Sequence, residues 1–212
     1  ALRLGMAAGK HFVRHSGRHS VVIGKDTRLS GYMIESALVA GFTSVGMDVF
    51  QFGPLPTPAV ALMTRSLRAD LGVMITASHN DNGWTGVKMG INRPLTFGPD
   101  EMGRLKEIVL NGEYKSFPGG AYKYVEGLRE RYIADVVNNV SFSRKMKVIA
   151  ACGNGTAGAY APEALERSSA ELIKPSKAYV VEEGKTLDHG RWLWAMAIDS
   201  SAKGRGDEGR RP

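Results

Sequence analysis

One short stretch of the sequence combines residue types that can do chemistry. An apolar run, 71–75, leads into Thr76-Ala77-Ser78-His79-Asn80, so a hydroxyl, an imidazole and an amide stand on consecutive residues. Lys88 follows ten positions after Ser78. Loops at strand ends are where α/β proteins commonly place catalytic and binding side chains. This stretch is therefore the first candidate for a functional site.

The residues around Ser78 leave several kinds of chemistry open, because a serine hydroxyl needs a base, a metal or a modification to activate it. A hydrolase is disfavoured, since Thr76 and Asn80 occupy the glycine positions of a Gly-x-Ser-x-Gly elbow. Hydroxyls, backbone amides and Lys88 could bind a phosphate. Alternatively, Ser78 could itself carry a phosphoryl group whose charge is balanced by cations. A plain polar turn is the remaining alternative, because residues 80–83 are all turn formers.

The order of strand-like and helix-like segments predicts the scaffold of this loop. Apolar runs at 21–23 and 71–75 predict buried strands, 48–52 is predicted as a further strand, and the segments between them have helical spacing. This β-α-β-α-β order predicts an α/β fold with a parallel or mixed sheet covered by helices. Because parallel strands end at one edge, the loop of Asp26 and Arg28 is expected to face the same cleft as Ser78.

Other segments are predicted with less bearing on the site. Ser30 and Thr57 are expected to cap the two helices that they precede. Further helices are predicted at 2–15, 99–110 and 124–137. A second α/β unit is also predicted, with a strand at 148–152, a helix at 160–167 and a final strand or buried segment at 192–198. We expect a first domain at 1–140, a partial second domain at 145–200 and a disordered tail at 201–212.

The composition narrows the class of protein. Of the 212 residues, 43% are hydrophobic and 23% charged, which is ordinary for a globular protein. No apolar run reaches the length of a membrane span, so we expect no membrane partner. The single cysteine, Cys152, excludes an intrachain disulfide and favours a cytoplasmic location. No base can be paired with Cys152, which we interpret as structural.

The net charge of +7 raises the question of nucleic acid. The basic residues are scattered except in the tail, 203–212, and no zinc-finger spacing, recognition helix or aromatic-basic pattern is present. A phosphorylated small molecule accounts for moderate positive charge equally well. We therefore expect no nucleic-acid partner.

Two other motifs are weak candidates for binding. His11, His15 and His19 are spaced by four, as a helical metal site could require, but no carboxylate accompanies them, so we expect surface histidines. The glycine-rich turn at 153–158 lacks the Lys-Ser/Thr of a Walker loop and the spacing of a dinucleotide fingerprint. It is better interpreted as a strand-to-helix turn.

The motif at 76–80, together with Asn82-Gly83 and Lys88, resembles the phosphoserine loop of the α-D-phosphohexomutases. The resemblance covers roughly residues 1–170. Residues 24–28 (Gly-Lys-Asp-Thr-Arg) and 53–58 (Gly-Pro-Leu-Pro-Thr-Pro) are similar to the first domain of that family, and residues 147–165 look like the start of its second. The fold implied is domain I plus the start of domain II.

The resemblance also implies catalytic roles. Ser78 would donate and recover the phosphoryl group and, as phosphoserine, would ligate Mg²⁺. His79 would orient or protonate the site. Lys88 and Arg28 would position the phosphate and the sugar hydroxyl, with Lys88 as the candidate base.

Asn80 and Asp26 are expected, by the same resemblance, to bind the substrate or its phosphate. The implied partners are hexose phosphates and a hexose 1,6-bisphosphate. The implied reaction interconverts hexose 6-phosphate and hexose 1-phosphate. Residues 76–167 look most like phosphomannomutase/phosphoglucomutases, whereas residues 1–75 look most like phosphoglucosamine mutases, which are the alternative. The oligomeric state is left open.

The sequence departs from the family pattern at the metal loop. The Asp-Gly-Asp-x-Asp-Arg motif is absent, and the nearest segment, 197–202, keeps only Asp199. One carboxylate and a phosphoserine would bind Mg²⁺ poorly. The third and fourth domains and the usual amino-terminal segment are also missing, so we expect a truncated or diverged enzyme. A catalytically impaired phosphosugar-binding module is a further alternative.

Overall fold

The fold was examined in a computed structural model that describes residues 1–11, 19–81, 83–91, 96–142, 144, 146–150, 152, 155–168, 171–173 and 196–198. Its first part contains α1 (Leu2–His11), β1 (Ser20–Lys25), α2 (Ser30–Ser44), β2 (Asp48–Pro54), α3 (Thr57–Ser66), β3 (Leu71–Ile75), β4 (Val87–Ile91), α4 (Pro99–Asn111), β5 (Tyr122–Tyr124) and α5 (Leu128–Asn138). Its second part contains β6 (Lys147–Ala150), a 3₁₀ turn (Thr156–Ala159), α6 (Ala161–Arg167), β7 (Glu171–Ile173) and β8 (Met196–Ile198).

Five strands form the first sheet in the order β4-β3-β1-β2-β5. The predicted parallel arrangement of β1, β2 and β3 is confirmed, with β1 between its two partners. β5 adds a further parallel strand, whereas β4 runs antiparallel to β3. A second sheet has the order β7-β6-β8. The five-stranded sheet is therefore mixed, and the carboxyl ends of its strands β1, β2 and β3 lie at one edge.

Helices cover the first sheet on both faces, which explains why the central strands are continuous apolar runs. Val21, Ile23 and Val73 pack with α1, α2 and α4 on one face. Val22 and Met74 pack with α3 and α5 on the other. Alternate residues of one strand thus enter different cores.

The helices α1 and α2 approach each other closely where Gly5 faces Gly41. A Cβ atom on Gly5 would lie 2.7 Å from the carbonyl oxygen of Leu38. A Cβ atom on Gly41 would collide with the carbonyl oxygen of Leu2. Both glycines are therefore required by the close contact of the two helix backbones.

The predicted capping roles of Ser30 and Thr57 are wrong. Leu29 is the N-cap of α2 and already has a helical backbone, while Ser30 is the first helical residue. The amide of Gly31 donates to the carbonyl of Arg28 at 3.1 Å, so a backbone group occupies the place of a side-chain cap. Pro56 is the N-cap of α3, with an extended backbone and without a side-chain hydrogen bond, so Thr57 is the first helical residue.

The helix predicted at 124–137 begins later than expected. Tyr122–Tyr124 form β5, and α5 starts at Leu128 after Gly127, which has a φ of 75°. The Tyr122 hydroxyl donates to Gln51 Oε1 at 2.8 Å, on the neighbouring β2. Pairing with β2 therefore overrides the helical pattern of this segment. The helix at 99–110 is confirmed, and Gly112 ends it with a left-handed φ of 64°.

The remaining element predictions hold for the described residues. The helix predicted at 2–15 is present through His11, and the strand at 148–152 is β6 at 147–150. The helix at 160–167 is α6, and β8 covers the end of the segment 192–198. The tail at 201–212 lies outside the described residues.

Tyr160 attaches the second part of the chain to the first. Its side chain is 8% exposed and packs in the core that contains Phe52 and Leu55. Its hydroxyl donates to the carbonyl oxygen of Pro54 at 2.9 Å, and burial raises its pKa. Arg129 of α5 donates to the carbonyl oxygen of Ala159. The two parts are thus joined by an apolar anchor and polar contacts at the end of β2.

Within the described segments, none of the helices is both long and apolar enough to cross a membrane.

Candidate active site

The Ser78 hairpin, residues 76–86, connects β3 to β4. The amide of Thr76 donates to the carbonyl of Gly86 at 2.9 Å, and the amide of Gly86 donates back at 3.2 Å. These two bonds continue the antiparallel register of Ile75 with Val87. The hairpin therefore has a rigid base, and it projects Ser78, His79 and Asn80 into solvent.

The backbone of Ser78 is held in an unusual conformation. Its φ is 58°, and Arg68 is the other non-glycine residue with a positive φ among those described. The amide of Ser78 donates to Thr76 Oγ1 at 2.9 Å, and the amide of Asn80 donates to the carbonyl of Ala77 at 3.0 Å. Left-handed backbone costs an L-residue roughly 1–2 kcal/mol. Such strain clusters at functional sites, where the surrounding structure maintains it.

We expect Ser78→Gly to be more stable than Ser78→Ala by about 0.5–1 kcal/mol, since glycine removes the left-handed strain and returns part of the gain through its unfolded-state entropy. Both variants lack the hydroxyl, so the difference reports the backbone strain at this position minus the unfolded-state entropy cost of glycine. Urea unfolding of the two proteins measures it. An unstrained position would instead make Ser78→Gly the less stable variant by about 0.4–1 kcal/mol.

The hydroxyl of Ser78 is paired with the next side chain. Ser78 Oγ lies 3.0 Å from His79 Nδ1, and both residues are exposed. An imidazole at this distance can accept the hydroxyl proton or return one to the serine oxygen. The pair is therefore suited to proton transfer at Ser78 Oγ.

Arg28, in the loop that follows β1, clamps the hairpin. Its guanidinium donates to three backbone carbonyls of the hairpin: to Ser78 at 3.3 Å, to Asn80 at 2.8 Å and to Asp81 at 3.1 Å. The side chain is 14% exposed. The planar fork of an arginine suits such a multiple contact. Arg28 thus fixes the backbone on both sides of His79, a role that the sequence did not reveal.

Asp26 in turn orients Arg28. Asp26 Oδ2 accepts from Arg28 Nε at 3.2 Å, and Oδ1 accepts from the Arg28 amide at 3.1 Å. The amide of Asp26 donates to the carbonyl of Ile75, where β3 ends. Asp26 is therefore an internal partner of the clamp, and both of its carboxylate oxygens are engaged.

A second link joins the hairpin to α2. Ser30 Oγ lies 2.5 Å from Thr85 Oγ1, so the first residue of α2 is hydrogen-bonded to the returning arm of the hairpin. This hydroxyl pair explains the position of Ser30 better than helix capping does.

The structure brings most of the predicted site residues together. Ser78, His79, Asn80, Arg28 and Asp26 share one hydrogen-bonded network at the carboxyl edge of the sheet. The predicted convergence of the two loops is therefore observed.

Lys88 lies on β4, two residues after the hairpin, and none of the hydrogen bonds described above joins it to this network. It is exposed on β4, opposite Met74. It lines a cavity of about 300 Å³ between α3 and β4, together with Thr57 and Arg65.

The predicted magnesium site was tested against the residues present. Asp199 lies outside the described residues. In the part of the chain that the structure describes, no three His, Cys, Asp or Glu side chains come together to hold a metal. Asp26 is occupied by Arg28. The described residues alone therefore do not fit the several anionic oxygens that Mg²⁺ prefers.

The expectation of surface histidines is wrong for His19. Its side chain is 16% exposed and lies 3.9 Å from Asp70 Oδ2. The residue directly precedes the buried strand β1, which draws it inward. Burial lowers the pKa of His11, with a further contribution from Arg104. His15 lies outside the described residues.

Cys152 has the character expected of a structural thiol. Burial raises its pKa, which disfavours the nucleophilic thiolate.

A buried ion pair beside the clamp was missed by the sequence analysis. Lys25, at the end of β1, contacts Glu35 of α2 at 2.6 Å. The sequence does indicate that Glu35 is buried, because Glu35 has helical spacing with Leu38 and Phe42 on the buried face of α2.

Comparison with known proteins supports this picture. The family model for phosphoglucomutase/phosphomannomutase, alpha/beta/alpha domain I, matches residues 1–116. The phosphoglucosamine mutase of Maricaulis maris is 53% identical over 189 residues, which cover 82% of this chain and 40% of that protein. The phosphoglucosamine mutase of Parvibaculum lavamentivorans is 49% identical over 187 residues, with the same coverages.

A solved structure agrees with the fold. A phosphoglucomutase/phosphomannomutase family protein from Burkholderia thailandensis has a TM-score of 0.73 and 27% identity, over 82% of this chain and 39% of that chain. The chain thus spans about 40% of the length of the curated relatives it matches. It belongs to the phosphoglucomutase/phosphomannomutase family, the α-D-phosphohexomutases, and residues 1–116 match the family's α/β/α domain I.

Proposed function

We propose that this chain is the phosphoryl-donor portion of a phosphoglucosamine mutase, with Ser78 as the residue that carries the phosphate. The observation that supports this most directly is the geometry of Ser78. Its hydroxyl is exposed, lies 3.0 Å from His79 Nδ1, and stands on a backbone that the Arg28 clamp holds in a left-handed conformation. A preorganised acceptor of this kind favours group transfer.

The substrate class follows the alternative interpretation of the sequence. Residues 76–167 pointed to phosphomannomutase/phosphoglucomutases, yet the relatives with about half of their aligned residues identical are named phosphoglucosamine mutases. We therefore propose glucosamine 6-phosphate and glucosamine 1-phosphate as the interconverted sugars, with the corresponding 1,6-bisphosphate as the intermediate. The net charge of +7 suits anionic substrates of this class.

The proposed step transfers one phosphoryl group with its atoms balanced. A sugar hydroxyl oxygen attacks the phosphorus of phosphorylated Ser78, a new oxygen–phosphorus bond forms, and the bond to Ser78 Oγ breaks. The hydroxyl proton passes to a base, for which Lys88 is the candidate, and His79 supplies a proton to the departing Oγ. In the second half-reaction Ser78 Oγ attacks the phosphorus of the other phosphate of the bisphosphate and gives its proton to His79. The bond from that phosphorus to the sugar oxygen breaks, the sugar oxygen takes up a proton, and the sugar monophosphate leaves while the phosphoserine is regenerated.

The other parts of the proposal rest on the family resemblance. Asn80 is proposed to contact the substrate, while Asp26 and Arg28 hold the hairpin in place for it. No step is assigned to Mg²⁺, because the described residues do not fit it. We also propose a cytoplasmic location, a first domain at 1–140 and a second α/β domain at 145–200.

Phosphate incorporation tests the proposal. Incubation with glucosamine 1,6-bisphosphate and Mg²⁺ is expected to add one phosphoryl group to the chain, as measured by intact mass and peptide mapping to Ser78. Ser78→Ala is expected to abolish the addition. Ser36→Ala is the matched control, because Ser36 Oγ is exposed on α2 and donates to the carbonyl of Tyr32.

Glucose 1,6-bisphosphate serves as the competing donor in the same assay. Faster incorporation from the glucosamine compound supports the proposed substrate class, and the reverse order supports a phosphomannomutase/phosphoglucomutase type. If sugar phosphate binds and Ser78 gains no phosphate, the donor function is refuted and the phosphosugar-binding module is the correct interpretation.

A further inference from the structure

A buried ion pair lies directly behind the clamp. Lys25 is 1% exposed and Glu35 is 5% exposed, and Lys25 Nζ lies 2.6 Å from Glu35 Oε2. Lys25 is the residue before Asp26, and Glu35 is on the second turn of α2. The pair therefore connects the two ends of the short segment that carries Asp26 and Arg28.

The surroundings of the pair restrict it to one arrangement. Lys25 Nζ lies 4.4 Å from the centre of the Tyr32 ring, and a Cβ atom on Gly31 would lie 3.4 Å from Lys25 Cδ. The carbonyl of Lys25 accepts from the amide of Leu55 at 2.9 Å. Both the side chain and the backbone of Lys25 are therefore fixed between α2 and the end of β2.

Stability alone does not explain the pair. Removing two charges from water is costly, and well-packed apolar residues of similar volume often serve stability as well or better. Within the described part of the chain, Glu35 Oε1 is buried without a hydrogen-bond partner, which adds to that cost. What the ion pair supplies, and apolar packing does not, is a directional link between β1 and α2.

We propose that Lys25 and Glu35 are positioning residues for phosphoryl transfer at Ser78, an inference that rests on the proposed function. The pair fixes the start of the Asp26–Leu29 connection against α2. That connection aims the Arg28 guanidinium at the carbonyls of Ser78, Asn80 and Asp81. Because Lys25 and Glu35 are both buried, their proposed role is to hold the clamp and not to contact the substrate.

The test compares the unmodified chain with the apolar double variant Lys25→Met/Glu35→Leu. Urea unfolding is expected to give the double variant a stability close to that of the unmodified chain, because the apolar side chains fill the space of the pair. Hydrogen exchange of the 76–86 amides is nevertheless expected to become about tenfold faster, since the clamp loses its orientation. The phosphorylation rate of Ser78 is expected to fall about ten- to a hundredfold, with little change in sugar phosphate affinity.

Phe42→Leu is the control for general destabilisation. Phe42 is buried near the carboxyl end of α2, so its truncation lowers the free energy of unfolding. Exchange of the 76–86 amides is then expected to become faster only as far as this loss of global stability accounts for. A double variant with unchanged hairpin exchange overturns the positioning role, whether or not Ser78 is phosphorylated. Faster hairpin exchange without any phosphorylation of the unmodified chain supports the link between the pair and the clamp, and refutes the proposed function instead.

Discussion

Arg28→Met is expected to slow phosphorylation of Ser78 about a hundredfold, because a small displacement of a preorganised group has an effect of that size. The change removes the three bonds from the guanidinium to the hairpin carbonyls and the bond from Arg28 Nε to Asp26 Oδ2, while the backbone amide of residue 28 still donates to Asp26 Oδ1. The free energy of unfolding is expected to fall by about 2 kcal/mol, as for the loss of charged hydrogen bonds in a largely buried position. Time-resolved intact mass and urea unfolding measure the two effects.

Two variants serve as controls for this result. Arg28→Lys keeps the charge and loses the planar fork, so its phosphorylation rate is expected to lie between those of Arg28→Met and the unmodified chain. Lys10→Met breaks an exposed ion pair with Glu113 and is expected to change stability by no more than about 0.5 kcal/mol. A normal rate in Arg28→Met would remove the clamp from the mechanism.

Gly41→Ala is expected to lower the free energy of unfolding by about 3 kcal/mol, at the upper end of what overpacking usually costs. The added methyl group would collide with the carbonyl of Leu2 and would lie 3.0 Å from both Gly5 Cα and the amide nitrogen of Met6. These are backbone atoms, so no side chain can rotate away. Relief requires α1 to move off α2, which opens the core beneath.

Gly103→Ala is the matched control on α4. A Cβ atom there would meet no atom within 4 Å. The substitution is expected to raise stability by about 0.5–1 kcal/mol, the usual gain of alanine over glycine inside a helix. Urea unfolding of the two variants should thus give effects of opposite sign. A similar small effect at both positions would show that the contact of α1 with α2 is not tight.

The sequence predicts the central strands well because both sheet faces are covered. A strand such as 71–75 is then apolar at every position, and its end is marked by the polar residues after Ile75. Ser78, His79 and Asn80 could be identified because they are consecutive. Asp26 and Arg28 could be placed near them because parallel strands end at one edge of the sheet.

Other features depend on contacts that no local pattern encodes. β5 is three residues long and exists through its pairing with β2, so a helical pattern concealed it. Serine is a residue type that often caps helices, yet the Ser30 hydroxyl is hydrogen-bonded to Thr85, 55 residues later. The direction of the Arg28 side chain likewise depends on the path of a distant hairpin. These features could not be predicted because they depend on contacts between residues that are far apart in the sequence.

The Arg28 clamp also bears on the stage of folding at which the arrangement of Ser78 is complete. Arg28 and its carbonyl acceptors are separated by 50–53 residues, and the segment between them contains α2, β2, α3 and β3. Contacts of such sequence separation close only after the intervening loop entropy has been overcome. We therefore expect the acceptor geometry at Ser78 to form late in folding. A nascent or misfolded chain would present the same serine without this arrangement. If Ser78 carries the proposed phosphate, that phosphate would therefore mark the molecules that have finished folding.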